Sequence, residues 1–334
     1  MSRSTMTAVN ANAVTMSVST PAVADLEPYR RELTAHCYRM LGSGSEAEDA
    51  VQETMVRAWQ GAEQFEGRSS VRTWLYRIAT NVCIDMGRSP QRRARPVDLG
   101  PARTPDPVHL ADVLPDDAWI TPIPDASVID VGADPAEVAA ARDSIRLAFL
   151  SALQQLPATQ RAALVLCDVL RWPAQEVADL LDTTSASVNS ALQRARATLA
   201  EAPASSPTTP LSDDQQRLLA RYVDAFERYD MDALAALLHD DVIQTMPPYA
   251  MWLQGRDDLV AWYTGAGIGC EGSRLLAGQA NGCPAFAQYR RDPDGGHVPW
   301  ALQVVELRGD RIEAIHAFLD TEAFERFGFP PRLD

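Results

Sequence analysis

Apolar residues recur at helical spacing through two separate stretches of this 334-residue chain. In the first, 25–88, no proline interrupts between Pro28 and Pro90. Ala47, Val51, Thr54 and Ala58 share one helix face, with Met55 and Trp59 beside it. Ser45 as N-cap and Glu48 three residues on form a capping box, which predicts a helix from there through Trp59. A second stripe follows at Val71, Leu75, Ile78 and Val82. In the other stretch, 138–201, the spacing predicts helices over Arg146–Leu156, Thr159–Leu170 and Pro173–Leu181, and from Ser185 to about Ala200. Across the turn Asp182-Thr183-Thr184, Val177, Leu180 and Leu181 face Val188, Leu192, Ala195 and Leu199. Two helices with an apolar seam and a tight polar turn read as a helix-turn-helix.

Beyond residue 213 the period changes. Asp213–Leu238 reads as one or two amphipathic helices, and strand-like runs follow at Ala285–Arg290, Trp300–Leu307 and Arg311–Leu319. Asp294-Gly295-Gly296 and Gly309-Asp310 are hairpin turn signals. The expectation is a multidomain chain: two all-α domains, the second a helix-turn-helix, and an α+β domain with a curved antiparallel sheet. The divisions are a disordered tail at 1–24, a helical domain at 25–89, and an extended, acidic, proline-rich linker at 90–137. A second helical domain at 138–201, a flexible tether at 202–212 and the α+β domain at 213–330 complete them.

Composition adds exclusions. The tail is too interrupted by Asn10, Asn12, Thr15 and Ser17 for a signal peptide, and no apolar run reaches membrane-spanning length, so a cytoplasmic location and no membrane partner are expected. The five cysteines lie far apart without a Cys-x-x-Cys, which predicts buried thiols and no metal site. No cofactor is expected.

Charge changes the picture more. The formal net charge is −15, yet it is segregated, and all 30 basic residues are Arg. Residues 72–95 hold six Arg against Asp85 alone, whereas 98–137 hold nine acids against Arg103 alone. A helix that mixes Arg, hydroxyls, amides and aromatics suits phosphates and unstacked bases. The last predicted helix of the second domain leaves Ser187, Asn189, Ser190, Gln193, Arg194 and Arg196 off its apolar face. That set suits a DNA major groove.

The segments SEAEDAVQETMVRAW and FEGRSSVRTWLYRIATNVCID resemble regions 2.2 to 2.4 of extracytoplasmic-function (group IV) RNA polymerase sigma factors. LPATQRAALVLCDVLRWPAQEVADLLDTTSASVNSALQRARATL is similar to region 4 of the same family. The resemblance implies that Asp49, Gln52 and Glu53 meet the clamp helices of the largest polymerase subunit, with the flap as a further contact of the core enzyme. It places Phe65, Arg68, Arg72, Thr73, Trp74, Asn81 and Arg88 at the −10 promoter element, and Ser187, Asn189, Ser190, Gln193, Arg194 and Arg196 at the −35 element. Asn189 departs from relatives, which often carry a basic residue there. The acidic linker resembles the segment that occupies the nucleic-acid path inside the polymerase.

The C-terminal part looks like the SnoaL-like or NTF2-like fold, a cone around a pocket. Candidate lining residues are Met246, Trp252, Trp262, Tyr263, Tyr289, Trp300, His316 and Phe318. His316 with Asp320, and Asp224, have no motif-level specificity, so no catalytic residue is assigned. The resemblance implies a sigma factor that directs initiation, with its last domain modulating activity in cis through contact with region 2 or the linker. A stand-alone helix-turn-helix regulator with a ligand-sensing cavity is the alternative, and a pocket enzyme fused to a vestigial sigma module is a third reading.

Overall fold

The computed structural model describes residues 26–87, 92–200 and 211–334. The expected tail at 1–24, residues 202–210 of the tether and Arg88 lie outside the described residues. Helices α1 (Arg30–Leu41), α2 (Gly44–Gly61) and α3 (Val71–Met86) form the first body. The predicted stripes are what they bury: Ala47, Val51, Thr54 and Ala58 of α2 meet Leu75, Ala79 and Val82 of α3, all at most 2% exposed. The N-cap of α2 is Ser43 instead of the expected Ser45; its hydroxyl accepts from the Glu46 amide at 3.4 Å. Gly42, at φ 72°, closes α1 in the left-handed region and leaves Ser43 extended, so the helix starts at once.

The second body contains α4 (Pro135–Asp143), α5 (Leu147–Gln154), α6 (Ala158–Leu164) with a wide turn at Val165–Val169, α7 (Ala174–Leu180) and α8 (Ser185–Ala200). Between α7 and α8, Asp182 takes a positive φ of 49°, and the Thr183 amide donates to the Ala178 carbonyl at 2.9 Å. Val177, Leu180, Val188, Leu192 and Ala195 are buried in the seam.

The segment between the bodies is not the extended strap that its prolines and acids predicted. Ile120, Ile123, Val128 and Ile129 are buried in the same apolar cluster as α1, α2 and α5, and Trp119 is buried beside them in sequence. Tyr38 of α1 donates its hydroxyl to the Thr121 carbonyl at 2.8 Å. Prolines 115, 122 and 124 exclude a long helix, but they do not keep the apolar residues among them in water.

The C-terminal domain opens with α9 (Asp213–Glu227), where Ser212 and Gln215 form a capping box, and α10 (Met231–Ala235). It continues through β1 (Leu238–Thr245), β2 (Trp252–Gln254), α11 (Arg256–Thr264), β3 (Arg274–Ala280), β4 (Cys283–Arg291), β5 (His297–Arg308), β6 (Arg311–Phe318) and α12 (Ala323–Arg326). The sheet order is β2-β1-β6-β5-β4-β3. The expected antiparallel sheet is mixed, because β1 and β6 pair parallel; the rest of the domain separates them in sequence, so no hairpin dictates their direction. One face of the sheet packs on α9 and α11 through Tyr222, Phe226, Trp262, Tyr263, Phe286 and Val305. Ala285, Ala287, Tyr289, Leu302, Val304 and Phe318 on the other face join the cluster that runs into the helical bodies.

The β3–β4 turn is the junction. Asn281, fully buried at φ 55°, donates from Nδ2 to the Tyr38 hydroxyl at 2.6 Å and to the Ile145 carbonyl at 2.7 Å. Its Oδ1 accepts from the Ile123 amide at 3.1 Å. The Gly282 amide donates to Asp125 Oδ1 at 2.8 Å. Nearby, Arg146 and Glu306 form a buried ion pair at 3.3 Å, and Arg326 of α12 reaches Glu48 of α2 at 3.4 Å.

Replacing Asn281 by Ala strips three buried bonds and keeps a β-carbon in a strained backbone region, so it is expected to cost about 3 kcal/mol in urea unfolding of the full chain. Asn281→Gly relieves the backbone and isolates the hydrogen-bond share. Asp125 gives a pH signature, because burial raises its carboxyl from 3.8 to about 6 despite the Gly282 amide and Arg142. The folded chain therefore binds that proton more tightly. The contribution is full below about pH 4 and is lost as pH rises through about 6. The stability difference between parent and Asp125→Asn should fall across that window, leaving the Asn variant the more stable by about 2 kcal/mol at pH 7.5. A difference that stays flat from pH 4 to 7 removes Asp125 as its source.

Candidate nucleic-acid interface

The α2 residues Asp49, Gln52 and Glu53 fall on one exposed stripe, as helical spacing requires. Glu53 is held by Arg57 at 2.6 Å. Further along the same side stand two large apolar side chains in water, Val56 and Trp59, the latter 63% exposed. Glu48, beside Asp49, is the residue that Arg326 of the C-terminal domain engages.

The α3 residues are positioned by Ser70, whose hydroxyl caps the helix by accepting from the Thr73 amide at 3.0 Å. Phe65 and Trp74 pack with ring centroids 5.0 Å apart and their planes tilted by 41°, and Trp74 is half-buried. Arg68 is exposed and pairs with Glu66 at 2.7 Å. Asn81 is exposed. Arg72, by contrast, is tied to Glu32 at 2.7 Å and lies over two rings, Tyr76 at 5.0 Å and Trp172 at 5.4 Å.

Trp172 belongs to the second helical body. It makes a contact across bodies: its ring lies 5.0 Å from that of Tyr76. Arg77 donates to the Asp179 carbonyl and stands 4.0 Å from Asp182. A cleft of about 790 Å³ runs between the two bodies. Phe65, Arg68, Thr73, Trp74 and Arg77 line one wall, and Glu176, Asp179 and Leu180 line the other. Of the candidate −10 residues, Phe65, Arg68, Thr73 and Trp74 thus share one wall; Arg72 and Asn81 are not among the cleft's lining, and Arg88 lies outside the described residues. The carboxylates Glu176 and Asp179 stand across the cleft from Arg68 and Arg77.

On α8, Ser187, Asn189, Ser190, Gln193, Arg194 and Arg196 are all exposed. Arg194 donates to the Ser190 hydroxyl at 2.8 Å. Arg196 is occupied by both oxygens of Asp168, at 2.6 and 2.8 Å, which takes its fork away from a ligand in this conformation.

The candidate pocket residues do not form one set. Met246, Trp262 and Tyr263 lie in the core between sheet and helices, with Trp300 packed against it under Arg290 at 3.4 Å. Tyr289 and Phe318 face the helical bodies, and Trp252 donates its indole N–H to the Gly100 carbonyl in the connecting segment. His316 also leaves the set: its Nδ1 is 2.9 Å from the Thr245 hydroxyl, and its Nε2 is 3.8 Å from Glu306. Alternation along each strand sends neighbouring aromatics to opposite faces, and spacing alone did not say which face was closed. Burial by itself would raise Glu306, but the His316 imidazole and the Arg146 guanidinium hold its carboxyl down at about 2. Inside the domain, polar groups satisfy one another: Tyr222 donates to Gln303 at 2.5 Å, Gln303 to Gln288 at 2.9 Å, and Gln288 to Ser273 at 3.0 Å.

The sequence reading missed Trp172 across the cleft, Asn281 and Asp125. The Asn281-Gly282 pair is itself a hairpin signal and could have placed the turn, though not its partners.

Residues 26–93 match the family model of sigma-70 region 2, 146–199 that of sigma-70 region 4, and 219–315 that of the SnoaL-like domain. Over 323 residues the chain is 46% identical to the ECF RNA polymerase sigma factor SigG of Mycobacterium tuberculosis, covering 93% of this chain and 84% of that relative. The ECF RNA polymerase sigma factor SigJ of the same organism is 28% identical over 265 residues, 76% of this chain and 77% of the relative. The crystal structure of SigJ superposes with a TM-score of 0.57 at 22% identity, over 93% of this chain and 100% of that one, a likeness of fold.

The cleft contact is testable without any ligand. Trp172→Ala, combined with Asp182→Ser, should raise hydroxyl-radical labelling of the fully buried Tyr76 severalfold while leaving that of Tyr222 unchanged. Equal labelling of Tyr76 in parent and variant would mean that the second body does not cover it.

Proposed function

The chain belongs to the extracytoplasmic-function RNA polymerase sigma factors, and we propose that it rests in a closed form whose C-terminal SnoaL-like domain restrains promoter recognition until core polymerase opens it. As a member of that family it binds core RNA polymerase and promoter DNA and directs transcription initiation. In this reading Asp49, Gln52 and Glu53 dock on the clamp helices of the largest subunit, region 4 meets the flap, the α3 face takes the −10 element, and α8 takes the −35 element. The observation that carries the closed form is Trp172 seated on Tyr76 and Arg72, with Arg77 turned to Asp179 and Asp182. Those arginines cannot serve phosphates and region 4 together.

The SnoaL-like domain supports the closure because the Asn281 side chain bonds region 2, the connecting segment and the residue two before α5. The connecting segment is also laid along the domain: the Arg103 amide donates to the Trp252 carbonyl at 2.8 Å, and the Leu114 amide to Pro248 at 3.1 Å. That segment must leave this edge before it can enter the nucleic-acid path of the polymerase.

The test is transcription with purified core enzyme on a genomic promoter library, using the full chain and two junction variants, Asn281→Gly and Arg326→Ala. Both variants should initiate at the same promoters as the parent with a changed yield, about fivefold for Asn281→Gly, the rate equivalent of a contact worth roughly 1 kcal/mol. Initiation at no promoter by any of the three would sink the assignment of the DNA-reading faces. Equal yields from all three would sink restraint in cis. Gln52→Ala with Glu53→Ala should lower core binding in a pull-down and leave the unfolding midpoint unchanged.

A further inference from the structure

A second cavity, of about 320 Å³, lies at the junction of region 2, the connecting segment and region 4. Its wall includes Glu46 from α2, Arg92, Arg93 and Asp117 from the connecting segment, and Gln154 and Arg161 from the region 4 helices. Three guanidinium groups therefore converge from separate parts of the chain.

Their partners differ. Arg93 is neutralised by Glu46 and donates to the Trp119 carbonyl at 2.8 Å and the Asp116 carbonyl at 3.2 Å. Arg161 meets only neutral oxygens: the carbonyl of Met40, Gln154 Oε1 at 2.6 Å and the Leu156 carbonyl at 3.1 Å. Its Nε is buried without a partner. Burial, with the adjacent Arg92 adding to it, draws the Arg161 guanidinium down to about 10, so it stays charged at neutral pH. Arg92 is exposed and makes no ion pair among the described residues. Asp117, at the same cavity, is likewise exposed and without an ion pair among the described residues. The wall thus carries one paired arginine, two arginines without a carboxylate, and a single free acid.

We propose that this cavity binds a phosphoryl anion, inorganic phosphate or the phosphate chain of a nucleotide, on the free fork of Arg92 in the field of Arg161. Planar guanidinium forks match the spread oxygens of a phosphoryl group, whereas a monovalent halide satisfies one donor direction. The cavity volume sits at the low end of the roughly 300–1,000 Å³ typical of small-molecule sites, which suits a phosphate group better than a large apolar ligand. Because its walls come from three segments, an occupant bridges region 2, the connecting segment and region 4, and a ligand that binds only their joined form stabilises that form.

The experiment is calorimetric titration of the full chain with inorganic phosphate, then pyrophosphate and ATP, alongside thermal unfolding in phosphate and in chloride of matched ionic strength. Saturable binding of phosphate and a rise in unfolding temperature absent in chloride are expected, and tighter binding of ATP than of phosphate would identify the nucleotide chain as the occupant. Arg92→Ser should weaken the site at least about tenfold, as loss of one charge-assisted contact requires, without changing the unfolding temperature in chloride. Asp117→Asn should tighten it. Arg161→Gln also removes the acceptors' donor between α1 and α6, so a folding failure there leaves the Arg92 and Asp117 variants to decide. Chloride acting as well as phosphate, or Arg92→Ser titrating like the parent, overturns the proposal.

Discussion

One buried amide sets the arrangement of the whole chain. Asn281 is cut off from water, so each of its polar atoms must find a protein partner or carry a desolvation cost of about 1–3 kcal/mol. Its partners come from α1, the connecting segment and the approach to α5. Withdrawing the hairpin tip orphans groups on three segments together, which makes their separation cooperative. The apolar cluster around it supplies attraction without direction, and the amide supplies register. The Arg146–Glu306 pair beside it belongs to the same category: a buried ion pair adds little net stability over apolar residues, yet removing one partner is costly.

From that junction the consequence runs outward to the two faces proposed to read DNA, and it reaches them unequally. The α8 side chains point into water, apart from Arg196 on Asp168. The α3 side chains face Trp172 and the acidic wall of α7. In the closed reading, duplex recognition by α8 is available while the residues assigned to strand opening are withheld. On the same helix, Arg77 is turned to the Asp179 carbonyl and to the Asp182 carboxylate.

How much of this the sequence disclosed depended on period. The stripes Ala47–Val51–Thr54–Ala58 and Val71–Leu75–Ile78–Val82 fixed two helices and their inner faces, and the Asp182-Thr183-Thr184 turn fixed the helix-turn-helix, because local spacing is a local property. The face of a strand was not legible. Tyr289 and Phe318 alternate as well as any pocket residue would, and only the helical bodies behind the sheet decide that they are covered. The connecting segment misled for a related reason: prolines and carboxylates dominate its composition, while Trp119, Ile120, Ile123, Val128 and Ile129 determine where it goes. Trp172 sits beside Pro173 in sequence and against Tyr76 in space, a pairing across nearly a hundred residues that no single-sequence pattern contains.

The contacts that close the molecule also differ in strength, and that ranks the order in which they give way. Arg77 and Asp182 are 4.0 Å apart with side chains 45% and 85% exposed, a geometry worth about 0–1 kcal/mol. Arg72 over Tyr76 and Trp172 adds a cation–π contact of about 0.5–2 kcal/mol. Against these stand the fully buried Asn281 bonds and the Arg146–Glu306 pair, which no water can replace without first entering the core. On the proposed closed form, opening therefore begins at the cleft, where solvent already reaches both walls, and the hairpin junction yields last. A partner that grips α2 at Asp49, Gln52 and Glu53 pulls on the body that carries α3, so its work is done first against the weaker set.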